Sequence, residues 1–233
     1  MTDAYTALDL EMTGLNPKMD RIIEIGAVKV RGGKTIDTFQ SFVNPGRILK
    51  ENICHLTGIS DEMLTGAPEM KELIGPLITF IGEDVLVGHR ILFDYSFVKK
   101  AAVNYSLSFE KRGIDTWKLS KEFLPDLESR QLVFLCEHYK IEHTAHRALG
   151  DAQASSDLYR KLAELFYEGH EEEFEPKQLI FHTKKEMPIT NRQKERLYKL
   201  LDMHKIAIEY HVDKLTRNEA DRIIDRILAK YGR

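Results

Sequence analysis

Asp9 and Glu11 stand two residues apart in the stretch YTALDLE, residues 5–11. In an extended chain successive side chains alternate, so both carboxylates share one face while Leu8 and Leu10 take the other. Two anions held roughly 7 Å apart on a central strand repel each other unless a cation neutralises them, and hard divalent ions prefer oxygen ligands of this kind. The plainer reading is an exposed edge strand with solvated acids. Two further acids weigh against it. In GHRILFD, residues 88–94, a short apolar strand feeds a helix, and Asp94 falls near the helix start beside Phe93, Phe97 and Val98. In HRALGD, residues 146–151, His146 and Asp151 flank a turn that leads into a long helix. Either aspartate alone also fits an ordinary carboxylate at a helix N-terminus.

These residues must be placed by elements far apart in the chain. Period-two apolar patterns predict strands over 5–11, 22–30 and 35–43, the second and third joined as a hairpin by Gly32 and Gly33. After Phe80 short apolar strands such as 85–88 alternate with helical patterns, which predicts crossovers in a mixed sheet. Ser129 is the expected N-cap of a helix carrying Leu132, Leu135, Cys136 and Tyr139, and a last long helix over 151–167 buries Leu158, Leu162, Leu165 and Phe166. Five glutamates between residues 168 and 175 mark a boundary. The expected organisation is a first domain over 1–170, an acidic linker over 171–186 and a small helical module over 187–233. In that module Thr190-x-x-Gln193 and Thr216-x-x-Glu219 both have capping-box form. They open the stripes Leu197, Leu200, Leu201, His204 and Ala220, Ile223, Ile224, Ile227, Leu228.

Composition bounds the remaining choices. With 233 residues, 42% hydrophobic and 30% charged, the chain has enough apolar content for a substantial core. No apolar run reaches membrane-spanning length and the N-terminus has no signal-peptide pattern, so a cytoplasmic location and no membrane partner are expected. Cys54 and Cys136 match no zinc or redox spacing and are expected to be reduced. Residues 186–233 hold eleven Lys or Arg against eight Asp or Glu, a net +3; against the whole-chain −3, residues 1–185 carry −6. The tail is thus the basic part, either as a nucleic-acid or partner surface or as a packed hairpin of mixed charge.

DLEMTG, GHRILFD and HRALGDA resemble, in order and spacing, the three exonuclease motifs of the DnaQ-like family, in the subclass whose third motif carries histidine. The likeness runs over roughly residues 3–167 and includes LTGISDEML, DTWKLSKEFLP and QLVFLCEHYKIE. It is strongest toward the proofreading subunit of bacterial replicative polymerases and the exonuclease domain inserted in their Gram-positive type. The resemblance implies an α/β fold, a ribonuclease H-like mixed five-stranded sheet flanked by helices. It also implies that Asp9, Glu11, Asp94 and Asp151 hold two divalent metal ions, Mg2+ or Mn2+, with His146 as general base. Met12, Thr13 and Gly14 would lie beside the terminal nucleotide, and Leu56, Thr57, Gly58 and Phe93 would meet its base and sugar.

The expected activity is therefore a 3′-to-5′ exonuclease that hydrolyses DNA to nucleoside 5′-monophosphates in replication proofreading or repair. Four carboxylates balance the four charges of two ions, which stabilise the attacking and leaving oxygens of an in-line displacement. Expected substrates are single-stranded DNA or frayed 3′ ends. RNA trimming by a relative of the same family, or a non-catalytic end-binding module on the same fold, are the alternatives. The sequence departs from the family pattern twice: Met12 stands where threonine is usual and Arg90 where asparagine is common. The resemblance suggests a DNA polymerase as partner, and Gln178-Leu179-Ile180-Phe181 is faintly similar to a sliding-clamp motif. His55, His89, His138, His143, His170, His182, His204 and His211 show no paired ligand arrangement; among them His89 is either a support for Asp94 or a buried, hydrogen-bonded group. Trp117 is expected in the core.

Overall fold

Three consecutive strands open the chain in the computed structural model, which describes residues 1–143, 147–207 and 211–232. They are β1 (Ala4–Met12), β2 (Ile22–Arg31) and β3 (Lys34–Phe42), paired antiparallel in sequence order. Gly32 and Gly33 turn β2 into β3 with φ of 55° and 71°, the left-handed pair that a two-residue hairpin matching strand twist requires. Helices α1 (Glu51–Thr57), α2 (Asp61–Leu64) and α3 (Met70–Ile81) lead to β4 (Val85–Gly88), which runs parallel to β1. After α4 (Ile91–Asn104), β5 (Arg112–Asp115) extends the sheet in parallel. Then follow α5 (Thr116–Phe123), α6 (Leu132–Tyr139) and α7 (Ala148–Phe166).

The sheet is mixed and flanked by helices, as expected, but it has six strands rather than five. The sixth, β6 (Lys177–Gln178), pairs antiparallel with β5 and completes the order β3-β2-β1-β4-β5-β6. Two exposed residues give no readable periodicity, so the sequence does not announce this strand. The surrounding 171–186 stretch is also tied down. Phe174 is buried and stacks on Phe123 at 5.5 Å, Leu179 is buried over Gly113, and Glu186 pairs with Lys100 at 2.7 Å. Gln178 and Leu179, two of the four residues in the clamp-like stretch, are thereby committed to the sheet edge.

Strand alternation sorts the core into two layers. Leu8, Leu10, Ile25 and Ala27 pack with Ile74, Leu77, Ile81, Ile91, Tyr95 and Val98 of α3 and α4. On the opposite face Tyr5, Ala7, Val28 and Val30 pack with Leu119, Leu135, Leu158 and Leu162 of α5, α6 and α7. Full burial of each such aliphatic side chain contributes about 1.5–3 kcal/mol before entropy is counted. Asp9 and Glu11 continue the Tyr5 and Ala7 series, so they face α7. Two helix starts differ from the sequence reading. α7 begins at Ala148, three residues early, and the N-cap of α6 is Gln131, while Ser129 Oγ accepts from the Gln131 amide at 3.2 Å.

The last helices are α8 (Asn191–Met203) and α9 (Arg217–Tyr231), each opened by a complete capping box from Thr190 and Thr216. Leu197, Leu200 and Leu201 of α8 pack on Ala220, Ile224 and Ile227 of α9. Their module is joined to the sheet domain electrostatically. Glu219 accepts Arg21 Nη2 at 2.6 Å and Arg47 Nη2 at 2.7 Å, and Lys214 meets Glu69 at 2.6 Å. No described helix is long and apolar enough to cross a membrane.

Candidate active site

β1 reaches beyond its parallel neighbour: the registered pairs with β4 stop at Ala7, and Asp9 to Met12 continue alongside β2 alone. Asp9 lies opposite Gly26 and Glu11 opposite Glu24. Position 26 has room for nothing larger than glycine, because a Cβ there would sit 2.1 Å from the Ala148 carbonyl carbon and the Leu149 nitrogen. The first turn of α7 therefore rests on the backbone of β2, and Asp151, in that turn, overhangs the end of β1. Carboxylate oxygens of Asp9, Glu11 and Asp151 lie within 4.8 Å of one another. Asp94, in the first turn of α4, reaches the same strand end: its Oδ1 accepts the Leu10 amide at 3.2 Å. It stands outside the tighter triad of Asp9, Glu11 and Asp151.

Asp9, Glu11 and Asp94 are held where charge is disfavoured. Burial raises the Asp9 carboxyl well above the usual range, and Asp94, Asp151, Glu11 and Glu24 push in the same direction. Glu11 is raised to about 7 by burial, Asp151 and Glu24, against the pull of Arg147. Asp94 is raised by burial despite the amide bonds it accepts. Such a cup concentrates more negative charge than its surroundings stabilise, and its oxygen donors fit hard divalent cations.

His146 lies outside the described residues. His143, unmarked by any ligand pattern in the sequence, has a buried side chain with Nε2 2.6 Å from Asp151 Oδ1. No spacing rule marks a loop histidine eight residues before its partner. His89 is a hydrogen-bonded strut: Nε2 must donate to the Arg130 carbonyl at 2.7 Å, and Nδ1 faces the Thr116 hydroxyl at 3.0 Å. Arg90 adopts a left-handed backbone conformation at φ 69°, its amide donates to Asp115 Oδ1 at 2.9 Å, and its guanidinium lies 4.6 Å from the Trp117 ring centre. Trp117 is therefore half-buried, a platform for Arg90 rather than a core residue.

The residues expected to meet a nucleotide fall into two kinds. Leu56 is 58% exposed at the end of α1, and Phe93 is half-buried edge-on to Phe97 at 5.3 Å. By contrast, Thr57 is buried, its hydroxyl donating to the Ile53 carbonyl at 2.9 Å, and Gly58 closes α1 in the left-handed region. Thr13 is buried too: its hydroxyl donates to Asp20 at 3.2 Å and accepts the Arg21 amide at 3.0 Å. Gly14 lies so close to Asp20 that a Cβ would come within 2.7 Å of its carboxylate. Met12 packs partly against the core. The side chains of Thr13 and Thr57 are thus taken up in local hydrogen bonds.

A family model for RNase_T, described as Exonuclease, matches residues 6–159. Among curated proteins, the PolC-type DNA polymerase III of Oceanobacillus iheyensis is 38% identical over 170 residues, covering 71% of this chain and 12% of the relative. That of Bacillus subtilis is 33% identical over 241 residues, covering 97% of this chain and 17% of the relative. The chain thus spans less than a fifth of the length of these relatives. Among solved structures, Exonuclease X in complex with 5′ overhanging duplex DNA aligns with a TM-score of 0.57 at 22% identity, over 70% of this chain and 92% of that one. Exonuclease I of E. coli in complex with a dT13 oligonucleotide aligns with a TM-score of 0.63 at 16% identity, over 73% and 43%. The architecture they share with this chain is the ribonuclease H-like α/β fold.

Proposed function

The chain belongs to the exonuclease family matched over residues 6–159, and from that premise we propose that it hydrolyses DNA from the 3′ end to nucleoside 5′-monophosphates. Two divalent ions, Mg2+ or Mn2+, would assist. One observation carries the reading: Asp9, Glu11 and Asp151 converge, with Asp94 tied to Leu10 between the first two, in a cup of excess negative charge.

Asp9, Glu11, Asp94 and Asp151 would hold the ions through carboxylate oxygens. When bound, such ions stabilise the charge that develops on the attacking and leaving oxygens of a phosphodiester displacement. The chain's own part is positional. β1, α4 and α7 fix the four acids, and the main chain of Met12, Thr13 and Gly14 would lie beside the terminal sugar, the Thr13 amide itself being taken by the Arg21 carbonyl at 2.9 Å. Leu56 and Phe93 offer aliphatic and aromatic surface against a frayed base, with the main chain of Thr57 and Gly58 beside it; such contacts favour single strands over any particular sequence. His146, by its place in the third motif, takes the proton of the attacking water; an ordinary imidazole pKa of ~6.5 suits that task near neutrality.

The PolC-type relatives support a role beside a DNA polymerase, in proofreading or repair. The test is digestion of a single strand carrying distinct labels at its two ends, with Mn2+ or with chelator, by the wild-type chain and by Asp9→Ala. Expected is stepwise release of 5′-mononucleotides from the 3′ end, dependent on metal and lost in the variant. Release from the 5′ end, internal cuts, or binding with no cleavage would overturn the reading. A matched RNA strand run in parallel decides between DNA and RNA.

A further inference from the structure

The seam between the sheet domain and α9 holds two cavities, and they differ in how their cations are employed. In the first, Arg21, Arg47, Lys100 and Lys214 all line the wall, and each is paired, with Glu219, Glu219, Glu186 and Glu69. The second, about 190 Å³, is lined by Thr13, Asp20, Arg47, Ile48, Lys50, Glu219, Arg222, Ile223 and Arg226 among others. Glu219 is already spent. Burial would raise its carboxyl, but Arg21, the Thr216 amide and Arg47 hold it below the usual range. Lys50, Arg222 and Arg226 remain, all exposed and without an ion-pair partner among the described residues. Arg222 and Arg226, four residues apart on α9, present neighbouring guanidinium groups on one face. The same wall carries Ile223 and Ile48, the latter 59% exposed.

We infer that this second cavity binds the phosphodiester backbone of the single strand on its way into the carboxylate cup. Lys50, Arg222 and Arg226 would contact phosphates, and Ile48 and Ile223 would lie against sugars and base edges. The inference rests on the nuclease reading, and it assigns the basic tail module, which lies beyond the residues matched by the family, a part in holding substrate. Two features favour a nucleic-acid strand over an acidic peptide. Thr13 lies in the cavity wall two residues beyond Glu11, so the groove opens beside the end of the strand that carries Asp9 and Glu11. Its unpaired cations also stand among aliphatic side chains, as on a track that follows a charged backbone while tolerating any base. Arg21 Nη2 donates to both carboxylate oxygens of Glu219 and Arg47 Nη2 to one, which fixes α9 against the connection between β1 and β2.

The experiment compares the full wild-type chain with Arg222→Ala/Arg226→Ala, Lys50→Ala and Arg222→Lys/Arg226→Lys. Kinetics are measured on a dinucleotide and on a single strand of about 16 nucleotides, the upper end of what one such track occupies. Binding of the long strand is measured by anisotropy in chelator over a range of salt. For the double alanine variant, KM and Kd for the long strand should rise about tenfold with kcat unchanged. The dependence of log Kd on log salt should become shallower by about 1.4, that is about 0.7 per lost phosphate contact. The dinucleotide should be cleaved as before, Lys50→Ala should show a smaller effect of the same kind, and the double lysine variant should stay near wild type. Unchanged Kd and salt slope would overturn the inference, as would equal losses on the dinucleotide, or displacement of the strand by an acidic peptide at equal charge. Should the wild-type chain release no nucleotide, the nuclease reading fails, while the chelator measurements still decide whether the groove holds a strand.

Discussion

Glu24 is sealed from solvent, directly across the strand pair from Glu11, and accepts the Arg147 guanidinium at 2.9 Å. The same carboxylate takes the Ala148 amide at 3.2 Å and the Gln40 side chain at 3.1 Å. It therefore anchors the entry to α7, three residues before Asp151. Arg147 is 40% exposed at its side chain, so it is solvated if its partner is lost, whereas Glu24 is not. Removing the cation and removing the anion should accordingly differ. Arg147→Ala strands a buried charge and is expected to cost about 2–4 kcal/mol, while Glu24→Gln is expected to cost less than about 2. Urea unfolding of both variants checks this; equal losses would refute the asymmetry. Weaker Mn2+ binding by Arg147→Ala, read by calorimetry, is expected with it.

That anchor was invisible in the sequence, and the reason is separation. Asp9, Glu11, Asp94 and Asp151 were legible because strand alternation and helix starts are local patterns, each readable within a few residues. Glu24 sits in an ordinary apolar strand and its partner is 123 residues away. The same holds for Gly26, whose lack of a side chain matters only because α7 presses on it, and for Arg21 and Glu219, which are 198 residues apart. The hairpin at Gly32 and Gly33 and both capping boxes are local patterns, and the structure forms them where the sequence predicts. β6 was too short to carry a period, and His143 acquires its partner only through the fold.

His143 and His146 should separate by the step they affect. His146→Gln is expected to lower kcat by about 10²–10⁴, the usual contribution of a general base, with little change in metal affinity. His143→Gln removes the group hydrogen-bonded to Asp151 and should alter the Mn2+ concentration giving half-maximal rate, with kcat nearly restored at saturating metal. A fall in kcat at saturating Mn2+ as large as that of His146→Gln would transfer the base to His143.

Relief of repulsion in the cup predicts a trade between stability and function. Without metal, Asp9→Asn should be more stable than wild type by about 1–2 kcal/mol, since it removes a buried charge that Asp94, Asp151, Glu11 and Glu24 all oppose. Mn2+ at about a hundred times its dissociation constant should stabilise wild type by about 2.7 kcal/mol, or about 5–10 °C in Tm. Asp9→Asn should lose most of that shift. Differential scanning calorimetry with chelator and with Mn2+ gives both quantities, and an Asp9→Asn chain that is less stable than wild type in chelator would contradict the account.

Arg90 occupies the left-handed region at φ 69°, where an ordinary side chain costs about 1–2 kcal/mol and asparagine costs less. Against that, its guanidinium over Trp117 contributes about 0.5–1 kcal/mol at so exposed a place. Arg90→Asn should therefore leave stability within about 1 kcal/mol of wild type, on the favourable side, because the backbone bond to Asp115 does not depend on the side chain. A loss of more than about 2 kcal/mol in urea unfolding would mean that the stacking on Trp117 outweighs the backbone strain.

His89 sets the acid limit of the fold. Burial pushes its imidazole down to about 4, although the Arg130 carbonyl favours the protonated ring. The folded chain thus holds a neutral histidine that would bind a proton near pH ~6.5 once unfolded. A group depressed in this way contributes stability that is present above the unfolded value and is lost as pH falls from there through about 4. The loss should total about 3 kcal/mol. His89→Gln, which keeps a donor for the Arg130 carbonyl, should be less stable than wild type near pH ~7 by about 1–2 kcal/mol and should lose stability less steeply on acidification. Unfolding free energies of the chelated chain measured across that range decide it: parallel curves for the two proteins would show that some group other than His89 takes up the proton.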